Sequence, residues 1–315
     1  MNSIYAVQDK NIEFEDVVPP VLNGIKSKLS KKQYRSTYNQ WQEWSAQNGL
    51  NPFDMNSNNA TLFLKDLKNN LGKPLTESSR SNKLAHLRKF AKYLKIHVPQ
   101  FGKVYDDLMF MVVPSEDAGN GHRETTDLSQ EQIRKIMRYF KNKARMIDVR
   151  NRLVIELGLA TGMRVSEMAK LRWDDIDLDQ EILVIQSGKG GKKRHLAIVP
   201  GRTIKPINTL LELRAMYGDI EYVFPAIYKD IPDQTGHITA DNMSDVVERI
   251  SNDCDIYFTH HTLRRTHITE MYRLDKDISG LMAQSGHSNA DILFKHYIQG
   301  VDAKDRREKW SEARW

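Results

Sequence analysis

A few residues, taken in order along the chain, carry the chemistry that this sequence could perform. Arg164 follows a Thr161-Gly162 break, and Lys189 stands between two glycines. His261 and Arg264 lie three positions apart, His287 follows Gly286, and Tyr297 comes ten residues after His287. A histidine and an arginine at that spacing share one helix face, so both can address one anionic group. Two guanidiniums can grip a phosphate through paired N–H groups, which lysine does less well. A tyrosine hydroxyl, with a reference pKa of about 10, must be deprotonated or stabilised before it attacks anything. An ammonium on a turn can protonate a departing oxygen. Together these groups meet the demands of covalent phosphoryl transfer.

Each has a plainer reading when taken alone. Arg164 could be a surface arginine, and Glu167, three residues on, could be its exposed ion-pair partner. Lys189 could simply solubilise a loop, and Lys192 and Lys193 compete with it for any chemical role. Tyr297 is one of 12 tyrosines, most of which pack in cores. His260, His261 and His267 invite a zinc reading. No His-Glu-x-x-His and no cysteine or carboxylate at ligand spacing stands beside them, so no metal is expected. A nucleotide-cradling Gly-x-x-x-x-Gly-Lys-[Ser/Thr] loop is missing too.

These residues need elements to hold them. The spacing predicts helices over Asp127 to Phe140, capped by Ser129 or Asp127, and over Val149 to Leu159, with Thr161-Gly162 as the break that delivers Arg164 to the next helix. Two β-rich runs, Glu181 to Gln186 and His195 to Val199, flank a basic glycine-rich hairpin tip, residues 188–194. Further helices are expected over Pro206 to Met216 and Thr239 to Ser251, with Tyr222 to Pro225 extended between them. Gly286 reads as a left-handed helix end, and Ser288 with Asp291 as a capping box for a helix carrying Leu293 and Phe294 beneath Tyr297.

The first hundred residues read as an all-helical unit. Pro19-Pro20 opens a short helix with Leu22, Ile25 and Leu29. Tyr34, Tyr38 and Trp41 mark a second, and Ala60, Phe63, Leu64, Leu67 and Leu71 a third closed by Gly72. A fourth, from about Ser78 to Leu94, turns Leu84, Leu87, Ala91 and Leu94 inward and leaves Arg80, Lys83, Arg88, Lys89 and Lys92 outside that stripe. Those cations are either a solvated face or a nucleic-acid contact. The expected division is a flexible arm over 1–18, a helical unit over 19–113, a Gly- and Asn-containing linker over 114–126, a second unit over 127–300, and a charged tail over 301–315 anchored by Trp310 and Trp315. The fold class is mostly α with a small β-sheet.

Composition narrows the class. A formal charge of +6 favours polyanionic partners. One cysteine, Cys254, rules out an internal disulfide and fits a reducing compartment, so the expectation is a cytoplasmic, nucleoid-associated protein. With no long apolar run and a polar, acidic start, neither a membrane span nor a signal peptide is expected.

Four segments in this order, Thr161-Gly162-Met163-Arg164-Val165-Ser166-Glu167, Gly188-Lys189-Gly190, His261-Thr262-Leu263-Arg264, and Gly286-His287 with Tyr297, resemble the tyrosine recombinase (phage integrase) family. The resemblance covers nearly the whole chain. It implies an N-terminal helical core-binding (SAM-like) domain and a C-terminal mixed α/β catalytic domain that together clamp DNA. It also implies Tyr297 as nucleophile, Arg164 and Arg264 as phosphate clamps, Lys189 as leaving-group acid, His261 and His287 as proton-transfer and phosphate groups, and Glu167 in support. Arg80, Lys83, Arg88, Lys89, Lys92, Lys192, Lys193 and Arg194 become DNA-binding candidates. The implied partners are double-stranded DNA with inverted-repeat core sites, three further copies of the chain in a tetramer, and an accessory DNA-bending or directionality factor. Neither metal nor ATP is implied. The sequence departs from the family at Ser285, where leucine is common, and at Arg265, which places a second arginine beside Arg264. A short arm suggests a simple Cre- or Xer-like arrangement acting on a mobile element or chromosome. Competing readings are a type IB topoisomerase and a DNA-binding regulator without catalysis.

Overall fold

The computed structural model describes residues 12–98, 101, 103–113, 127–186, 193–287, 289–294 and 297. The chain separates into two units, Met1–Arg123 and Glu124–Trp315.

In the first unit the described helices are α1 (Phe14–Asn23), α2 (Lys28–Gln47), α3 (Ser57–Asp66), α4 (Glu77–His97) and α5 (Lys103–Met109). Helix α1 begins before Pro19-Pro20, so residues 14–18 are helical and not part of an arm, and both prolines lie inside the helix. An interior proline forfeits a helical hydrogen bond and crowds the preceding turn. Burial of Phe14, Val17, Val18, Val21 and Leu22 against α2 and α4 offsets that cost. Side-chain caps start the next three helices: Ser27 accepts from the Ser30 amide, Asn56 from Asn59 and Thr76 from Ser79. Tyr38, Trp41, Phe63, Leu84, Leu87, Phe90 and Leu94 fill one core. Helix α3 stops earlier than its apolar spacing suggests. Lys68 pairs with Pro74 across a turn held by Asn69, which leaves Leu71 exposed.

In the second unit come α6 (Gln130–Tyr139), α7 (Met146–Thr161), the single-turn α8 (Val165–Met168) and a 3-10 turn, Trp173–Asp175. Strands β1 (Ile176–Asp177), β2 (Ile182–Ile185) and β3 (Arg194–Ala197) then form an antiparallel sheet in the order β1-β2-β3, with Leu183 opposite Leu196. Helix α9 (Pro206–Tyr217) is followed by a hairpin of β4 (Ile227–Tyr228) and β5 (Ile231–Pro232) that the sequence reading did not foresee. Helices α10 (Ala240–Asp253), α11 (His260–Asp275), α12 (Ile278–Ser285) and α13 (Ala290–Leu293) complete the described part. The fold is therefore mostly helical with two small sheets.

Helix α7 is buried from Val149 to Thr161 apart from Arg152, with Arg150, Asn151 and Glu156 among the buried residues. It lies against α9, α10 and α11. Glu156 sits inside it as a buried carboxyl that accepts from the Thr209 hydroxyl at 2.5 Å, and burial pushes its pKa up. No helix among the described residues is long and apolar enough to cross a membrane.

Candidate active site

Helix α7 delivers the first site residue. Gly162 ends it in the left-handed conformation at φ 61°, which reverses the chain within one residue. Arg164 then stands at the N-cap of α8, and Glu167 reaches back to its amide at 2.9 Å. The same carboxylate accepts from Arg164 Nη1 at 3.0 Å.

Glu167 is also gripped by Arg194 on β3, whose Nη1 and Nη2 reach its two oxygens at 3.0 and 2.7 Å. This fork-to-fork pair is nearly dry, with the Arg194 side chain 12% and Glu167 7% exposed. Burial alone would raise the Glu167 pKa. The Arg194 hydrogen bonds, with Arg164 behind them, overcome that and hold the carboxyl below its ordinary value. Arg194 was expected among the DNA-binding cations of the hairpin tip, and the structure gives its guanidinium to Glu167. The signal was available in the strand alternation. Arg194 shares a strand face with the buried Leu196, while His195 and Ala197 point outward.

Helix α11 starts at a cap in which Thr259 and Thr262 exchange side-chain-to-amide bonds, and it carries His261 and Arg264 on its first turns. Arg264 is buried. Its Nη1 donates to the Gly162 carbonyl and its Nη2 to the Ser285 carbonyl, both at 2.7 Å. Burial first, and then the Arg164 charge, pull its pKa down, while the Tyr297 hydroxyl opposes this through charge and a hydrogen bond. The guanidinium nonetheless stays charged at neutral pH. Arg264, and not the adjacent Arg265, makes these bonds.

Helix α12 ends at Gly286, left-handed at φ 69°. There Arg164 Nη2 donates to the Gly286 carbonyl at 2.9 Å, and a side chain at 286 would meet the Arg194 guanidinium about 3.0 Å away. Gln284 pairs with Ala197 through both its amide oxygen and nitrogen, at 3.0 and 2.9 Å, and so extends the β3 edge by one side chain. That clasp went unnoticed in the sequence. His287 lies 3.2 Å from Arg264 Nη2, and burial, followed by the nearby Arg264 and Arg164, lowers its pKa to about 4.

Tyr297 is buried in a small cluster with Ile268, Tyr272, Leu281 and Leu293. Its ring centroid lies 5.4 Å from His287 and 5.9 Å from His261. Leu293 packs beside it as expected, whereas Phe294, expected to do the same, is exposed. The cap of α13 is Asn289, which accepts from Asp291 at 2.8 Å. Among the described residues the structure thus brings together Arg164, Glu167, Arg194, His261, Arg264, His287 and Tyr297. Guanidinium charge is in excess there, and the described residues contain no cluster of His, Cys, Asp or Glu able to hold a metal ion. Lys189 and Lys192 lie outside the described residues, as do the linker, residues 114–126, and the tail, residues 301–315.

A family model described as the phage integrase family matches residues 126–304, which include every residue of this cluster. The chain belongs to the phage integrase family. It is 28% identical over 162 residues to tyrosine recombinase XerA of Thermococcus onnurineus, a match covering 51% of this chain and 54% of that protein. It is 25% identical over 286 residues to tyrosine recombinase XerC of Actinobacillus succinogenes, covering 88% and 90%. The chain spans about half the length of the XerA relatives it matches. Among solved structures, the Tn1549 transposon integrase in complex with a circular intermediate DNA aligns with a TM-score of 0.68 at 13% identity, over 94% of this chain and 100% of that one. A lambda integrase dimer bound to a COC' core site gives 0.58 at 17%, over 90% and 94%. At those identities the likeness is one of fold.

Outside the cluster, the expected DNA-binding cations of α4 need correction. Arg80 is buried, 1% exposed, and not on the exterior. Arg88 donates to the carbonyls of Leu108, Met109 and Met111 at 2.8, 3.1 and 2.6 Å and ties down the end of α5. Lys83 is half-buried against Gln40 Oε1 at 2.6 Å. Lys89 is partly exposed, and Lys92 and Lys193 are exposed.

Proposed function

We propose that this phage integrase family member is a site-specific DNA recombinase that breaks and rejoins strands through a 3′-phosphotyrosine at Tyr297, with exchange by way of a Holliday junction. The observation that carries the reading is the buried Tyr297 ring, with its centroid 5.4 Å from His287 and 5.9 Å from His261, in the same pocket as an Arg264 guanidinium already fixed by two main-chain carbonyls. A phenol and a phosphate oxygen would then share one preoriented cation.

In the proposed step the Tyr297 oxygen bonds to phosphorus, the bond to the 5′-oxygen breaks, and the phenolic proton leaves toward the histidines. Arg164 and Arg264 neutralise the non-bridging oxygens, and removing one such contact costs on the order of a hundredfold in rate. Lys189 protonates the departing 5′-oxygen. The new ester stays close in energy to the old one, so a 5′-hydroxyl from a partner duplex can reverse the attack without ATP. Two guanidiniums supply the charge that a metal would otherwise bring, and activity in excess EDTA is expected. Lys89, Lys92, Lys192 and Lys193 are the proposed backbone contacts.

Support for a tetrameric assembly on DNA comes from a fold neighbour, a lambda integrase tetramer bound to a Holliday junction. The tail over 301–315 is proposed to link protomers, the helical unit over 19–113 to bind core DNA, and an accessory DNA-bending factor to assist.

The test is covalent capture on a library of nicked genomic fragments. Wild type should leave denaturant-stable protein–DNA adducts whose sequences report the site, with unchanged yield in EDTA. Tyr297→Phe should bind the same fragments and leave none. Adducts from the phenylalanine variant, or none from wild type, would overturn the reading.

A further inference from the structure

We propose that Ser285 is a positioning residue that holds His287 as its Nδ1–H tautomer, so that the imidazole faces the active site with the Nε2 lone pair. The consequence for catalysis rests on the recombinase reading, but the assignment itself does not.

Proton counting carries the argument. The Ser285 hydroxyl has one hydrogen, and it lies 2.5 Å from the Leu281 carbonyl, which can only accept. The hydrogen is therefore committed one turn back along α12. What Oγ presents to His287 Nδ1, 2.8 Å away, is a lone pair. The hydrogen between those two atoms must come from Nδ1. At the opposite ring edge Nε2 faces Arg264 Nη2 at 3.2 Å, and a guanidinium can only donate. Nε2 must accept. Both ends of the ring thus require the same neutral tautomer, and the burial and neighbouring arginine charges that oppose an imidazolium act in the same direction.

The choice matters because the two tautomers offer opposite chemistry. With the proton on Nε2, His287 would donate a hydrogen bond toward a phosphate oxygen. With the lone pair there, it accepts from Arg264 Nη2 and steadies that guanidinium beside the Tyr297 ring, whose centroid lies 5.4 Å from its own. A leucine at 285, common in the resembling family, has no acceptor to hold Nδ1–H. This chain supplies one from a serine whose own hydrogen is already engaged.

Nitrogen-15 spectra of histidine-labelled, DNA-free protein read the tautomer directly. Wild type should show His287 with protonated Nδ1 and bare Nε2. Ser285→Ala should populate the Nε2–H form and slow single-turnover adduct formation about tenfold, the scale of one lost hydrogen bond, with DNA affinity unchanged. Ser285→Thr, which keeps a hydroxyl at the same place, should restore both the spectrum and the rate. An Nε2–H signal in wild type overturns the assignment without needing any variant to fold. So does an alanine variant that keeps the wild-type tautomer, or one that changes tautomer without changing rate. Wild type with the Nδ1–H signal but no adduct would overturn the recombinase reading and leave the Ser285–His287 assignment standing.

Discussion

Arg194 and Glu167 meet fork to fork, two nitrogens on two oxygens, beneath the loop that carries Gly286 and His287. The pair couples strand β3 to helix α8, and through the same carboxylate it sets the Arg164 guanidinium.

Glu167→Gln should therefore act on both stability and catalysis. Leaving the nearly buried Arg194 and the partly exposed Arg164 without their counter-charge is expected to cost about 3 kcal/mol. The Glu167 carboxyl is held below its ordinary value, so the unfolded chain binds its proton first. Its stabilisation is complete above the ordinary carboxylate range and is lost as pH falls through that range toward the depressed folded value. Acid-unfolding curves should lose part of that limb in the glutamine variant. An identical acid limb in the two proteins would contradict this account.

Arg264→Lys should bind DNA almost normally yet form adducts at least about a hundredfold more slowly. One ammonium cannot bridge the Gly162 and Ser285 carbonyls as the planar fork does. Single-turnover rates beside equilibrium binding would separate the two effects, and a proportional loss in both would count against orientation as the cause.

Gly162→Ala places a methyl in a left-handed conformation and within 2.7 Å of His267 Cδ2. The backbone penalty alone is roughly 1–2 kcal/mol, and the carbonyl that anchors Arg264 must shift. A lower melting temperature together with slower adduct formation is expected. A variant as active as wild type would show that the Gly162 carbonyl is dispensable.

Arg88→Ala and Lys92→Ala should differ in kind. Arg88 spends its donors on three carbonyls at the end of α5, so its loss should lower the stability of the helical unit. Lys92 is exposed, and under the proposed function its loss should leave stability alone while reducing the salt slope of DNA binding by about one. Equal salt slopes for wild type and Lys92→Ala would remove Lys92 from the interface.

Much of this site could be read from residue type and interval, because the proposed chemistry depends on ionisable side chains at helix starts and ends. Gly162, Arg164, Gly286 and the His261–Arg264 pair stand where helix breaks and helical spacing put them. What escaped was whatever depends on tertiary neighbours. Arg194 was hidden in a run of cations, although its place in β3, on one face with the buried Leu196, turns it inward. Arg80 and Arg88 lie off the apolar stripe of α4, yet other elements cover that side of the helix. The β4–β5 hairpin is too short for alternation to betray it. The α1 boundary was misplaced because a proline pair usually opens a helix, and here the burial of Phe14 and Val17 outweighs that preference.

Three of the contacts that orient the arginine pair end on main-chain oxygens, those of Gly162, Ser285 and Gly286. A carbonyl survives every point substitution, so away from the left-handed Gly162 and Gly286 the side chains around these loops can drift, as serine at 285 illustrates, without unseating a guanidinium. Loop length has no such latitude. One residue added or removed between 161 and 163, or between 285 and 287, would rotate the oxygens away from the cations while every side chain proposed to act remained in the chain.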